Sequence, residues 1–306
     1  MTATAEPRKP PAASAITVAA PAKINLHLEV LGRRADGFHE LETVFQTLDL
    51  HDEVTVALTP GPDAVTLWCS DPALPADHAN LAWRAAAAVL AARPGLGRVA
   101  ITLAKRLPAG AGLGGGSSDA AAVLRALAAL DARVAALDLP ALALGLGSDV
   151  PFFLVGGTAH ATGRGEVLTP LPDIPAPAGL TVLMPEGAHL ATPAVFRELT
   201  DEERGPRDGR GAAWFAGRLA GGAPAIAANR LTAPARRLCP PLADLLDHLH
   251  AHRVPHVMTG SGAACVAFAT VVPPLGVTAW PTAFRHRADL TGALPSQAAP
   301  EVHVRR

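Results

Sequence analysis

"RLPAGAGLGGGSSDAAAVLRAL", Arg106 to Leu127, crowds five glycines between Gly110 and Gly116 and then runs straight into an alanine-rich, helix-forming segment. Glycines ahead of a helix N-terminus let backbone N–H groups converge on an anion, and the helix dipole adds about half a positive charge there. A flexible linker is the bland alternative, but a linker gains nothing from a helix directly behind it. Gly110 to Gly115 also spells G-x-G-x-x-G, the dinucleotide fingerprint. That fingerprint needs its first glycine directly behind a buried strand, with an acidic residue about 20 positions on. Asp131 and Asp138 could be offered as the acid, but Lys105, Arg106 and Pro108 separate Gly110 from the preceding strand-like segment. A Walker loop ends in Gly-Lys-Ser/Thr, where this chain has Gly116-Ser117-Ser118. The loop reads as a phosphate site that follows neither pattern.

Upstream, INLHLEVLG from Ile24 alternates apolar and polar residues, the period of a half-buried strand. A turn-like RRADG, an apolar HELETVFQTLDL and a short strand EVTVAL follow, then AVTLWCS as a further strand. Asn80 to Ala92 reads as a helix stopped by Pro94 and Gly95, and Arg98 to Ala104 as the strand that feeds the loop. Downstream, Val123, Leu124, Leu127 and Leu130 share one helical face, and a second helix is expected over Leu139 to Leu144. GSDVPFFLVGGTAHATGRGEVLTPL reads as a turn followed by strands, and the Pro-rich stretch 170–180 as a linker. Beyond it lie a strand at Leu180 to Met184, a helix after Thr192-Pro193 and a charged loop, DEERGPRDGRG. A helix over 241–252 and a Gly-rich turn at 259–262 then lead into the strand ACVAFAT. Strands and helices mixed without strict alternation indicate an α+β chain.

The composition narrows the function. The chain has 306 residues, 49% of them hydrophobic and 17% charged, with a formal net charge of -1. That balance argues against a broad electrostatic grip on nucleic acid or anionic lipid. Cys69, Cys239 and Cys265 are scattered and odd in number, which fits a reduced, cytoplasmic protein. The opening MTATAEPRKPPAASA has no apolar run of a secretory signal, and residues 1–15 read as a disordered tail. No stretch of about 18 uncharged apolar residues predicts a membrane span. Of 26 basic residues only Lys9, Lys23 and Lys105 are lysines, in a chain biased towards arginine. A lysine that survives such a bias is a candidate for chemistry that needs a compact ammonium. His248 and His252 would share a helix face, but no H-E-x-x-H accompanies them, so no metal site is expected.

LPAGAGLGGGSSDAA resembles the P-x-G-x-G-L-G-S-S phosphate loop of the GHMP kinases. Three more segments extend the likeness: PAKINLHLEVLGRRADGFHELETVFQ (21–46), LGSDVPFFLVGGTAHATGRGE (146–166) and TGSGAACVAFA (259–269). The first two are similar to the branch of that superfamily that phosphorylates 4-diphosphocytidyl-2-C-methyl-D-erythritol. The resemblance implies a two-domain α+β fold, an N-terminal ribosomal S5 domain 2-like part (16–168) and a C-terminal ferredoxin-like part (169–306). It also implies ATP as phosphoryl donor, Mg²⁺ as charge partner and a small-molecule cytidine diphosphate substrate, in a cytoplasmic monomer or weak homodimer. Homoserine- or mevalonate-type kinases, which would lack the RADGFHE block, and a non-catalytic nucleotide binder, which would lack Lys23 or Asp149, are the alternatives.

Residue by residue, the resemblance makes Asp149 the base for the substrate hydroxyl and Lys23 its partner; an ammonium within about 4–6 Å favours the ionised carboxylate. It gives Pro108, Gly110, Gly112, Leu113, Gly114, Gly115, Gly116, Ser117 and Ser118 to the ATP phosphates, with the two serines as hydroxyl donors or Mg²⁺ ligands. Asn80 and Lys105 fall where the family holds adenine and ribose. Asn25, Phe38, His39 and Phe196 would select the substrate, with Phe38 and Phe196 on the two faces of the cytosine and His39 at its edge. Phe38 stands where the family usually has tyrosine. Stacking on a base, about 1–3 kcal/mol, survives that exchange. Asn229 also matches a family asparagine, with no role implied.

Overall fold

β1 (Ser14–Arg33) and β2 (His39–Thr59) form one antiparallel hairpin along nearly their whole length. The computed structural model describes residues 14–205, 211–220 and 228–290. The tail expected over 1–15 therefore lies outside the described residues except for Ser14 and Ala15, which already pair with Leu58 and Ala57. The break expected inside the second strand does not occur; β2 runs unbroken from His39 to Thr59. Its Leu41–Gln46 half pairs with β5 (Thr158–Gly163) and its Glu53–Thr59 half with β4 (Arg98–Ala104). β3 (Ala64–Cys69) lies parallel to β4, β6 (Val167–Pro170) antiparallel to β5, and β8 (Ala228–Asn229) parallel to β1. Among the described residues seven strands thus make the first sheet.

α1 (Leu81–Ala92) and α2 (Gly115–Leu130) cover one face of that sheet, and α3 (Ala132–Ala135) and α4 (Leu139–Leu146) follow. Ala120, Ala121, Ala122, Val123, Leu124, Ala126 and Leu127 are all buried, so α2 is apolar nearly all round, as a helix between two packed layers must be. Phe152–Val155, read as strand, is instead the short helix α5. Periodicity cannot type so short an apolar run. Here both Phe152 and Phe153 are fully buried in one core, whereas adjacent strand residues would point to opposite faces.

The second sheet is antiparallel, in the order β11 (Val277–Thr282), β7 (Leu180–Pro185), β10 (Cys265–Ala267), β9 (His256–Met258). α6 (Thr192–Glu198), α7 (Ala212–Ala220), α8 (Thr232–Leu238) and α9 (Pro240–Ala251) complete this half. Leu242, Leu245, Leu246 and Leu249 form the helical stripe of α9 that packs with Leu183 and Cys265. The expected charged loop at 201–211 falls partly outside the described residues. Between Pro170 and Leu180 there is no regular structure, yet Ile174 is buried in the core. No helix among the described residues is long and apolar enough to cross a membrane.

One departure in β1 shapes the site. The alternation predicted a half-buried strand, but its polar face is buried too: Lys23 is 4% exposed, Asn25 2%, His27 7% and Glu29 2%. The register breaks between Pro21 and Lys23, and across that break the even-numbered apolar residues change cores. Val18 and Ala20 pack with α2, whereas Ala22, Ile24 and Leu26 pack with Val182 and Val266 of the second sheet. A bulge re-aims side chains in this way. Lys23 is thereby turned towards the glycine loop.

Candidate active site

The loop's sequence explains its shape. Gly110, Gly112 and Gly114 take left-handed φ values of 66°, 77° and 73°, while Ala111 and Leu113 between them are 2% and 1% exposed and anchor it in the core. A side chain at Gly112 would sit 2.3 Å from the Thr259 carbonyl oxygen, and one at Gly114 would sit 2.8 Å from Phe153 Cζ. The glycines are therefore required by both conformation and close approach. Gly114 opens α2 without a side-chain cap, and no acidic residue stands in the first turn. A helix start of this kind, with uncapped N–H groups and the positive dipole end, favours an anion.

The loop is tied to both sheets. The Lys23 N–H donates to Leu113 O at 2.9 Å, and Ala264 N–H to Ala111 O at 3.3 Å. The turn at 259–262, between β9 and β10, rests on Gly112, whose carbonyl accepts from Thr259 Oγ1 at 3.3 Å. Asn229 steadies this turn, since its amide donates to Met258 O and Gly260 O at 2.8 and 2.7 Å and its oxygen accepts from Leu231 N–H. That is the structural place of the asparagine for which the resemblance implied no role.

Lys23 Nζ donates to Asn25 Oδ1 at 2.8 Å and lies 3.7 Å from Asp149 Oδ2. Burial lowers the Lys23 ammonium below the usual lysine range, and the neighbouring Asp149 carboxylate opposes that shift. Asp149 keeps 35% of its side chain exposed, in the turn between α4 and α5 held by buried Val150 and Phe152. Asn25, expected to touch substrate, spends its oxygen on Lys23 and Gly260 N–H and its amide on Thr43 Oγ1. Its geometry orients Lys23.

A cleft of about 850 Å³ opens beside this pair; Lys23, Asn25, Gly112, Gly114 and Asp149 line it, and so do the rings of Phe38, His39, Phe45 and Phe196. Phe38 is 51% exposed and the Arg164 guanidinium lies over its ring at 4.6 Å. The aromatic partner of Phe196 is His39, stacked at 4.6 Å and 23°. Burial, then Arg204 and Arg33, lower the His39 pKa, which favours a neutral ring with one donor and one acceptor nitrogen. Arg33, Arg164, Arg197 and Arg204 line the same cleft. In an arginine-rich sequence nothing had set these four apart.

Of the eleven expected ATP residues only Gly112 and Gly114 line the cleft, and two of the others have structural partners of their own. Asn80 caps α1, its oxygen accepting from Ala82 N–H at 2.9 Å and its amide donating to Pro75 O at 2.8 Å. Lys105 is held between Asp52 and Asp119, at 2.5 and 2.6 Å. Ser117 is half-buried, and the fully buried Ser118 hydroxyl has no partner. The His248 and His252 rings lie 4.2 Å apart, tilted by 34°, and among the described residues no group of three His, Cys, Asp or Glu could hold a metal.

Known proteins are similar to this chain in sequence and fold. Residues 80–157 match the family model of the GHMP kinases N terminal domain. The chain is 52% identical over 182 residues to the 4-diphosphocytidyl-2-C-methyl-D-erythritol kinase of Solibacter usitatus, a match spanning 58% of this chain and 55% of that relative. To the protein of the same name from Polaromonas sp. strain JS666 it is 42% identical over 261 residues, 82% of each chain. A crystal structure of 4-(cytidine 5'-diphospho)-2C-methyl-D-erythritol kinase is similar at a TM-score of 0.72 and 38% identity, over 88% of this chain and 99% of that one.

Proposed function

Because the chain belongs to the 4-diphosphocytidyl-2-C-methyl-D-erythritol kinases of the GHMP kinase superfamily, we propose that it transfers the γ-phosphate of ATP to the 2-hydroxyl of that cytidine diphosphate alcohol. The products are the 2-phosphate and ADP, in the non-mevalonate route to isoprenoid precursors. The observation that carries this reading is the Lys23–Asp149 pair, 3.7 Å apart, at the junction of the glycine loop and the cleft. Asp149 accepts the hydroxyl proton as the oxygen attacks phosphorus. Lys23 offsets charge on the transferring group and steadies the carboxylate, while Asn25 fixes the direction of its ammonium. Phosphoryl transfer depends mostly on such positioning and charge neutralisation.

Residues Gly112 to Ser118 hold the ATP phosphates through backbone N–H groups. Among the described residues five cations, Lys23, Arg33, Arg164, Arg197 and Arg204, line the cleft with the single carboxylate Asp149, a balance suited to a polyanionic substrate. Phe38, His39 and Phe196, which line it, take the cytosine. Mg²⁺ would neutralise charge on the ATP phosphates when bound there. Ser117 and Ser118 are the hydroxyls that the family resemblance would offer it. A cation that keeps mostly phosphate and water ligands needs few from the protein. Three free cysteines and ATP as donor suit the cytoplasm.

An ADP-release assay with 4-diphosphocytidyl-2-C-methyl-D-erythritol beside mevalonate and homoserine tests the substrate. Turnover of the cytidine compound alone is expected, and turnover of another alcohol in its place overturns the assignment. Asp149→Asn should lower kcat about 10²–10⁴-fold with ATP affinity retained. Near-normal turnover removes Asp149 as the base.

A further inference from the structure

Lys105 is buried at the base of the glycine loop, and its surroundings give it a task different from contact with a nucleotide. Its ammonium donates to Asp52 Oδ2 at 2.5 Å and to Asp119 Oδ2 at 2.6 Å. The three side chains are 8%, 0% and 3% exposed. Asp52 Oδ1 in turn accepts the backbone N–H groups of Arg106 at 2.5 Å and Leu107 at 2.8 Å, where the chain enters the loop. Asp119 stands in α2, just beyond the loop's exit.

We infer that Asp52, Lys105 and Asp119 form a buried staple that fixes both ends of the glycine loop, so that Asp52 and Lys105 are positioning residues for ATP. The inference rests on the reading of the loop as the ATP phosphate site. Asp52 belongs to β2, opposite Ala20 of β1, and so refers the loop's entrance to the central hairpin. Lys105 then carries that reference across to the helix whose N-terminus faces the phosphates. To touch adenine or ribose, Lys105 would have to abandon two carboxylates in a setting almost closed to water. A buried ion triad is poor evidence for stability, because apolar replacements of similar shape often serve as well. Its use here is geometric. Backbone N–H groups bind phosphate only when they converge, and the staple holds both ends of the segment that must converge.

The sign of the effect separates this staple from simple electrostatics. Removing a carboxylate near a polyanion site should tighten anion binding by relieving repulsion. In Asp52→Asn the amide keeps an oxygen for the two N–H groups but turns its NH₂ towards the Lys105 ammonium, donor against donor. The staple therefore predicts weaker anion binding.

The experiment is calorimetric titration of the full chain with inorganic tripolyphosphate, a non-hydrolysable ATP analogue, adenosine and cytidine monophosphate. Asp52→Asn and Lys105→Gln should each weaken tripolyphosphate and the ATP analogue about tenfold, as loss of a charge-assisted hydrogen bond implies. Adenosine and cytidine monophosphate affinities should stay within about twofold, by the same reasoning that neither touches the staple. Loss of adenosine affinity with tripolyphosphate unchanged makes Lys105 a nucleotide contact and overturns the staple. So does a lower melting temperature with tripolyphosphate affinity unchanged, the mark of a merely structural triad. Should Lys105→Gln fail to fold, Asp52→Asn decides by the direction of its effect. If the wild-type chain itself binds neither tripolyphosphate nor the ATP analogue, the phosphate-loop reading fails first and the staple's role goes with it.

Discussion

Asp119 shows how one residue's surroundings set a measurable property of the whole chain. Burial pushes its carboxyl up to about 7; Lys105 opposes the shift and Asp52 reinforces it. One of its oxygens is buried with no hydrogen-bond partner, as a protonated or shared carboxyl can tolerate better than an ionised one. Because the folded value lies above the ordinary 3.8, the folded chain holds a proton that the unfolded chain gives up. That contribution to stability is complete below pH about 4 and is lost as pH rises through about 7. Thermal melts between pH 5 and 8 should therefore show the midpoint falling with pH. Asp119→Asn, which cannot titrate, should flatten this segment of the profile. Parallel profiles for the two proteins would show that Asp119 does not titrate in this range. Lys105 and Asp52 are the charged side chains bonded to or facing Asp119, and the Cys69 thiol lies near enough to feel it.

At the scale of elements, the glycine loop makes the sharpest demand on sequence. Gly114 combines a φ of 73° with a missing Cβ that would meet the fully buried Phe153 ring at 2.8 Å and Lys23 Cγ at 3.2 Å. Gly114→Ala should cost about 1–3 kcal/mol from backbone strain and crowding. It should also lower kcat far more than that loss of folded population explains, because the displaced atom belongs to Lys23. Gly116→Ala is the stability control: its Cβ would meet only Leu81 Cδ1 at 3.8 Å, within an ordinary helix, so its melting temperature should hold or rise. Equal loss of stability in both variants would contradict the steric account. This loop was legible beforehand because glycines followed by a helix are a conformational statement that any sequence makes openly. The Lys23–Asp149 pair was legible by resemblance, and the scarcity of lysine pointed the same way. The polar face of β1 was not, since alternation announces one apolar face and is silent about what covers the other. The four cleft arginines were lost among the many other arginines of the chain, and the two aspartates that hold Lys105 stand apart from it in sequence, with nothing there to link them. Phe152–Val155 was misread because four apolar residues contain no period.

At the scale of the whole molecule, the decisive fact is that the two sheets do not own separate cores. Ala22 and Ile24 of β1, Val44 and Leu48 of β2, Val182 of β7 and Val266 of β10 belong to one cluster, together with the loop anchors Ala111 and Leu113. The chain after β11 fastens the two sheets again. Phe284 enters the same cluster and bridges to Leu48, and the Arg285 carbonyl accepts from Thr47 Oγ1 at 2.7 Å. Arg287 donates to the carbonyls of Gly156, Thr158 and Leu171. A boundary proposed at 168/169 falls inside β6, in the first sheet, and β8 returns to that sheet from the second half of the chain. Two lobes built in this way should unfold together. A calorimetric scan is expected to show one transition, with the van't Hoff and calorimetric enthalpies agreeing. Phe284→Ala removes a ring from the shared cluster and should cost about 3–5 kcal/mol. Because Ala111 and Leu113 anchor the phosphate loop in that cluster, the same variant should weaken ATP binding from a position outside the cleft. Two resolved transitions in the wild-type scan, or a Phe284→Ala chain that lowers only one of them, would show that the lobes fold independently and that the shared core does not couple them.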